Sequence, residues 1–431
     1  MGIALLQQAG DLAKKGNFDE AVTIYEEYLR HSQTAMPSWD ARSYANCLRK
    51  LKRNEACIAF AKKQLEAVPD FAPLRNELGW ALYDQYIKSS DIDEKTFFRT
   101  AEEIVRISDT GNRYSALKRT VFKVLDYCKN RPDPNYESML NWLDQLPMDQ
   151  LKEDEETFRA ADGTDRALAS EVERYYALKI ECLLKLNQYA ECCDAVDAAM
   201  AKVKKFHYDN DIWFKRSYAI ALKHLDRASE AEGIYKQLLI KRKEWFMLKE
   251  LAELYKCQGN TREAIRAAAD AALAPGDVEK KVQLFALLAE LLNQEGETDA
   301  AGRHISLSYV IRVEKGWTTP PRFMEQVKKY GIDIENLPSA ITLYRSMIPY
   351  WEQCKYRGQE LLKGRIESLL PNGKAGFIRA STGKQHYFKV ASVTGPRHMI
   401  KEGKDVTFYL EEGYDSKKNQ STWNAVNIKF I

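Results

Sequence analysis

Long apolar runs are missing from this chain. Nothing approaches the roughly 18 residues that a helix needs to cross a bilayer, so no membrane partner is expected. None of the eight cysteines, Cys47, Cys57, Cys128, Cys182, Cys192, Cys193, Cys257 and Cys354, forms a C-x-x-C pair. Most fall on apolar helical faces, which points to buried thiols in a reducing cytoplasm rather than a disulfide framework or zinc site. The opening, Met1-Gly2-Ile3-Ala4-Leu5-Leu6, has no basic n-region or cleavage site, and Leu6 stands where a myristoylation signal needs Ser or Thr. We therefore expect no secretory leader and no acyl anchor. Catalytic signatures are absent as well: no phosphate-binding glycine loop, no H-E-x-x-H and no G-x-S-x-G, with the six histidines scattered. The expectation is a protein that is not an enzyme and carries no cofactor.

What is present is ordinary globular composition, 45% hydrophobic and 29% charged over 431 residues, enough for two or three domains. The net charge of +3 hides an asymmetry. From Lys363 to Ile431 there are 12 Lys and Arg against 6 Asp and Glu, a net of +6, while the rest has 53 against 56, a net of −3. A basic module on a slightly acidic scaffold suggests a polyanionic partner.

The scaffold repeats itself. Gly16-Asn17-Phe18-Asp19-Glu20-Ala21, Gly259-Asn260-Thr261-Arg262-Glu263-Ala264 and Gly296-Glu297-Thr298-Asp299-Ala300-Ala301 each read as a turn between helices, with a small residue early in the second helix. This resembles the tetratricopeptide repeat, in which that small residue lets paired helices approach closely. In that register Ala21, Ala56, Ala231, Ala264 and Ala301 fill the small slot, with gaps of 35, then 33 and 37 residues. Twelve residues earlier stand Ala9, Ala219, Ala252 and Ala289, while the second repeat departs with Tyr44. A third unit starts at Leu78-Gly79 and holds Ala101 after the polar connection Ser89-Ser90-Asp91. A degenerate one runs from Tyr176 to Ala199 with Cys192 in the slot.

Between the repeat blocks, Pro147 to Ser170 lacks periodicity and carries Glu153-Asp154-Glu155-Glu156 and Asp162-Gly163, which reads as an exposed acidic loop or hinge. His207 with Asp209 and Asp211 has the look of a ligand set, but Asp and Asn just before an apolar run are expected to cap a helix. After Gly316-Trp317-Thr318-Thr319-Pro320-Pro321, two helical stretches to about Lys355 are expected to cap the repeats.

From Lys363 on the pattern changes to strands: Gly364 to Leu370, Ala375 to Ala380, Gln385 to Val390, Asp405 to Glu411 and Thr422 to Phe430, with turns at Pro371-Asn372-Gly373, Thr382-Gly383, Glu402-Gly403 and Gly413. Five short strands in about 70 residues fit a small OB-type barrel. Gly364-Arg365-Ile366, the run Gly373 to Ile378, the run His386 to Val390, Glu402-Gly403-Lys404-Asp405-Val406-Thr407-Phe408 and Ala425-Val426-Asn427-Ile428 together resemble the cold-shock domain family. Of that family's stacking aromatics, Phe377 and Tyr387 are retained, whereas Ser368 and Ala375 stand where it has Trp and Phe. Lys389 and Val390 replace its His and last Phe.

The resemblance implies that Phe377 and Tyr387 stack bases while Lys374, Arg379 and Lys389 meet phosphates of RNA or single-stranded DNA. The competing reading makes the two rings barrel core. On the helical part, Arg216, Lys223, Lys249 and Lys256 fall on first-helix positions that line a repeat groove and are candidates to hold an acidic protein partner, with a solvated face as the alternative.

The sequence thus predicts a mainly α protein with a small all-β domain: a tetratricopeptide-like α-solenoid followed by a five-stranded OB-type barrel. Its expected segments are helical repeats over 1–146, the acidic loop or hinge over 147–170, further repeats over 171–315, capping helices and linker over 316–362, and a cold-shock-like domain over 363–431. The pairing resembles bacterial proteins, some of them tied to defence loci. The expected function is an adaptor for single-stranded nucleic acid and a protein partner; a pure protein-interaction scaffold is the alternative.

Overall fold

The computed structural model describes residues 2–32, 35–89, 91–415 and 420–431; Met1 and Ser90 lie outside the described residues. The chain divides into two compact units, Met1–Asp211 and Ile212–Ile431. The first is a series of helix pairs. They are α1 (Gly2–Lys15) with α2 (Phe18–His31), α3 (Ser38–Lys50) with α4 (Asn54–Ala67), and α5 (Ala72–Leu82), which runs into a π turn to Ile87, with α6 (Glu94–Ile107). Then come α7 (Leu117–Lys129) with α8 (Tyr136–Leu143) and α9 (Glu171–Lys185) with α10 (Tyr189–Lys202). The second unit continues the pattern with α11 (Asn210–His224), α12 (Ala228–Lys241), α13 (Trp245–Cys257), α14 (Thr261–Leu273), α15 (Val282–Gln294) and α16 (Thr298–Glu314), followed by α17 (Pro321–Lys329) and α18 (Ala340–Lys355).

One local device builds these pairs. In six of them the chain turns on a single left-handed residue: Gly16 (φ 86°), Lys52 (58°), Asn187 (58°), Asp226 (57°), Gly259 (73°) or Gly296 (79°). The next residue donates its N–H to the carbonyl five positions back, as Asn17 does to Leu12, Arg53 to Leu48 and Asn260 to Tyr255. That bond satisfies carbonyls the helix end leaves open. Five residues after the turn comes a fully buried small residue: Ala21, Cys57, Cys192, Ala231, Ala264 or Ala301. This corrects the expected register of the second repeat. Cys57 fills the slot rather than Ala56, and its thiol donates to the carbonyl of Ala45 at 3.4 Å, so Ala45 replaces Tyr44 as the partner small residue. The slip arises because Lys52, not glycine, holds the left-handed position there.

The stretch 147–170, expected as an exposed acidic loop or hinge, carries regular structure. It holds a 3-10 turn at Met148–Gln150 and a hairpin of β1 (Glu156–Arg159) and β2 (Asp165–Leu168) turning at Gly163 (φ 80°). Its acids are tied down: Glu153 lies 2.9 Å from Lys204, and Glu155 2.7 Å from Lys205.

The second unit ends in the barrel: β3 (Leu362–Leu369), β4 (Ala375–Ala380), β5 (Gln385–Lys389), the short β6 (Val393–Thr394), β7 (Asp405–Asp415) and β8 (Gln420–Phe430). β5, β4, β3, β7 and β8 pair in that order, and β8 closes the ring by pairing parallel to β5 at Phe388 and Ala425. Ile366, Ile378, Phe388, Val406, Phe408 and Ile428 fill its interior. Gly413, expected as a turn, lies inside β7 opposite Thr422, because β7 and β8 run on past the barrel.

The barrel is seated on its own unit's helices. Tyr409 of β7 stacks on Tyr356 with centroids 4.4 Å apart and planes 6° apart. Around this stack Lys243 and Lys355 alternate with Asp270 and Glu411. Lys243 Nζ lies 2.8 Å from Asp270 and 2.5 Å from Glu411; Lys355 Nζ lies 2.9 Å and 3.5 Å from the same two carboxylates. Burial alone would raise the Asp270 carboxyl, but Lys355 and Lys243 hold it below its ordinary range. Underneath, α18 is locked by fully buried Trp351, which stacks on Phe285 at 5.8 Å and donates Nε1–H to His304 Nε2 at 2.8 Å. The other His304 nitrogen lies 2.7 Å from the Ala300 carbonyl. Burial pushes this imidazole down to about 4.

The turn residues and the buried imidazole each carry a stability prediction. A Cβ at Gly259 would meet nothing within 4 Å, so Gly259→Ala charges only for backbone strain and should cost about 1–2 kcal/mol. Lys52→Gly should move stability the other way, both read from urea midpoints. His304 binds its proton in the folded state only well below its unfolded pKa. Stability is therefore complete above about pH 6.5 and should fall by up to about 3 kcal/mol as pH drops toward 4. His304→Gln should lack that share of the acid loss in pH-dependent unfolding.

Candidate binding surfaces

Side chains alternate across a strand, and β4 and β5 obey this strictly. Ile378, Ala380 and Phe388 point into the barrel, while Phe377 stands opposite Tyr387 on the outer face. The two rings meet edge to face with centroids 5.9 Å apart and planes 71° apart, and both are half-buried. Neither belongs to the core cluster nor packs against it. Ser368 of β3 pairs with Phe377 from the other side, so the third column of this face is small where the cold-shock pattern would place a large ring. Gly376 is needed for strand approach: a Cβ there would lie 2.4 Å from the Ser368 carbonyl oxygen.

The cations around these rings differ in kind. Arg379 is spoken for: its Nε and Nη2 donate to Glu367, and Nη1 donates to the Gly383 carbonyl at 3.1 Å. Gln385 donates to the same carboxylate at 2.8 Å, and the bonds from Arg379 and Gln385 hold Glu367 below its ordinary range. Arg365 is likewise paired to Asp405, at 2.7 Å. Lys374 and Lys389 are exposed and have no acidic partner among the described residues. Ala375 lies opposite Lys389, which puts both lysines at one end of the aromatic pair.

Sequence reasoning missed two features of the barrel. Glu367 neutralises Arg379 across a strand irregularity between Ile366 and Ser368, which no one-strand pattern announces. Trp423 keeps the inward parity of Ala425, yet it is 59% exposed because β8 has run beyond the barrel's interior at that point.

The helical cations are also compensated. Arg216 bonds Glu250 and lies 5.1 Å over the Phe246 ring; Lys223 and Lys249 share Glu253 at 3.6 and 2.5 Å; Lys256 pairs with Glu290 at 2.6 Å. The four line neighbouring helices α11 and α13, as the repeat register placed them, but form a ladder of ion pairs rather than a bare basic stripe. His207, weighed with Asp209 and Asp211, instead sits between carboxylates, each ring nitrogen 2.8 Å from an oxygen of Glu173 or Glu155. Burial lowers its pKa, but these two bonds outweigh that and raise it. The amine of buried Lys281, pushed down to about 8 by burial, donates to the Ala272 and Ala274 carbonyls and closes the end of α14.

Residues 212–336, which hold nearly all of α11 and then α12 through α17 and stop short of the barrel, match the family described as Domain of unknown function (DUF7017). Comparison with curated proteins finds no match. Among solved structures, BtubC (BKLC) from P. vanneervenii is 11% identical, covering 63% of this chain and 93% of its own, with a TM-score of 0.32. A tetratricopeptide repeat protein from Parabacteroides merdae is 11% identical over 77% and 98%, TM-score 0.29. TTC0263, a thermophilic TPR protein of Thermus thermophilus, is 14% identical over 67% and 99%, TM-score 0.20. The fold assignment rests on the helix pairs and the barrel themselves.

The placement of the rings gives a stability test. Phe377→Ala should cost about 1 kcal/mol, the worth of a cross-strand aromatic pair. Phe388→Ala, in the fully buried core, should cost about 3–5 kcal/mol. Equal losses in denaturant unfolding would put Phe377 inside the barrel.

Proposed function

We propose that this chain is a non-enzymatic cytoplasmic adaptor whose helical repeats take a protein partner and whose barrel, OB-type in strand order and cold-shock-like in sequence, binds single-stranded nucleic acid. One observation carries the nucleic-acid half. Phe377 and Tyr387 form a paired aromatic surface outside the barrel core, flanked by two lysines without acidic partners among the described residues. Every base has a face to stack on such rings, and the lysines supply phosphate contacts. The repeats support the protein half because stacked helix pairs present extended surfaces suited to a polypeptide.

A second reading, a protein-interaction scaffold whose barrel no longer binds nucleic acid, draws on a different observation. Arg365 and Arg379 are both neutralised within the barrel, as are the four helical cations.

Fluorescence anisotropy of the full chain with labelled U15 and dT15 at several salt concentrations separates the two. Phe377→Ala with Tyr387→Ala should weaken binding by about 1–3 kcal/mol per ring and leave the salt slope alone. Lys374→Gln and Lys389→Gln should each flatten the slope by up to about 0.7, while Arg379→Gln, already paired, should flatten it least. A folded aromatic double variant that binds as tightly as the parent would favour the scaffold reading.

A further inference from the structure

The strongest unassigned feature lies in the first unit, where α8 and α10 flank α9 and leave an open groove of about 930 Å³. Its floor is apolar and aromatic: Met148, Tyr175, Leu183 and Leu186 line it, with Leu140 on one wall and Ala195 on the other. Its rim is acidic on both sides. Glu137 and Asp144 stand on the α8 wall and Glu191 and Asp194 on the α10 wall, all four exposed.

These carboxylates are clustered and, among the described residues, unpaired. Other acids nearby are bound to cations, among them Glu181 to Lys129 at 2.6 Å, Asp126 to Arg174 at 2.5 Å and Glu153 to Lys204 at 2.9 Å. The four on the groove rim have no cationic partner among the described residues. Of the two lysines in the groove, Lys202 is exposed at the end of α10, whereas Lys179 is turned inward. Its ammonium donates to the Tyr175 hydroxyl at 3.1 Å and lies 5.5 Å from that ring's centre. The groove thus already holds one cation on its aromatic floor, and its rim has charge left for more.

We propose that this groove docks a basic amphipathic helix of a partner protein. The apolar face of such a segment lies on Met148, Leu186 and Tyr175, and its lysines or arginines meet Glu137, Asp144, Glu191 and Asp194. Helix-in-groove recognition works in this way, with apolar anchors giving contact area and complementary rim charges giving orientation and rate. This rests on the protein-partner half of the adaptor reading and names the partner's chemistry. It is independent of nucleic-acid binding by the barrel.

The test uses the full chain and a fluorescein-labelled 14-residue peptide with leucines on one helical face and lysines on the other. Its counterpart carries glutamates in place of the lysines. The lysine peptide should bind with an affinity that falls steeply with salt, and the glutamate peptide should not bind. Replacing the rim by Glu137→Gln, Asp144→Asn, Glu191→Gln and Asp194→Asn should weaken the lysine peptide at least tenfold. Amide replacement of Asp19, Glu66, Asp70 and Glu102, exposed acids elsewhere on the same unit, should change it less than twofold. Met148→Arg, which keeps the rim but fills the floor with a charge, should also abolish binding. Equal loss in the two quadruple variants would mean a diffuse acidic surface and would overturn the proposal, as would no binding by the parent. Retained U15 binding in the rim variant would show the barrel working while the groove is disabled. Lost U15 binding by the barrel variants would leave the groove result untouched.

Discussion

Paired helices in this protein close on one another at positions where only a small side chain fits, and both the repeat register and the surface charge pattern depend on that approach. Ala21, Cys57, Cys192, Ala231, Ala264 and Ala301 are all fully buried, each five residues past a left-handed turn residue. The two features need each other. The turn sets the phase at which the second helix begins, and the phase decides which residue faces the first helix. A larger residue there forces strain of about 1–3 kcal/mol, because interiors of this density do not yield. Once the phase is fixed, outward positions recur in step. Arg216 meets Glu250, 34 residues on, and Lys256 meets Glu290 at the same interval. Those two rungs of the ion-pair ladder therefore follow from the repeat, while Lys249 reaches Glu253 within its own helix.

Within the second unit the barrel is held by a different kind of contact. Lys243, Asp270, Lys355 and Glu411 alternate in charge around the Tyr356–Tyr409 stack, and Lys355 also lies 5.1 Å from the Tyr356 ring centre. Each charge has two opposite neighbours, so loss of any one leaves three half-buried charges with one sign in excess. Removing one partner from such a set is far costlier than the set's net worth. The arrangement favours one orientation of the barrel over many weaker ones, with its Phe377–Tyr387 face on strands away from Glu411.

The fold was legible wherever local chemistry and tertiary structure agree. Glycine at positions 16, 259 and 296 marks the left-handed turns, so those repeats were placed in register from sequence. Lys52, Asn187 and Asp226 adopt the same backbone without glycine, and at Lys52 the register slipped by one residue. The five barrel strands were readable from alternation, but the overrun of β7 and β8 was not, since alternation does not say where a barrel's interior ends. The hairpin at 156–168 was hidden because its residues are almost all exposed and show no apolar face. At the candidate surfaces, residue type and strand parity placed Phe377 and Tyr387 on one face, where they stand opposite each other. What sequence does not encode locally is who neutralises whom: Glu367 reaches Arg379 from another strand, and Glu250 reaches Arg216 from another helix pair.

That pairing changes how the barrel's charge should be weighed. A count of +6 over the last segment suggests a strongly basic module, but part of it is spent inside the domain on Glu367 and Asp405. Long-range attraction depends on net charge and survives such pairing. Close phosphate contact does not, because a guanidinium already held by a carboxylate must exchange one partner for another. Beside the rings, Lys374 and Lys389 are exposed with no acidic partner among the described residues and offer contact without exchange. On the proposed reading, the energetic centre of the face therefore shifts from charge to the two rings. Stacking is insensitive to base identity and to salt. On that reading, a surface of this composition would take a single strand through its rings more than through its charge, with little preference among bases.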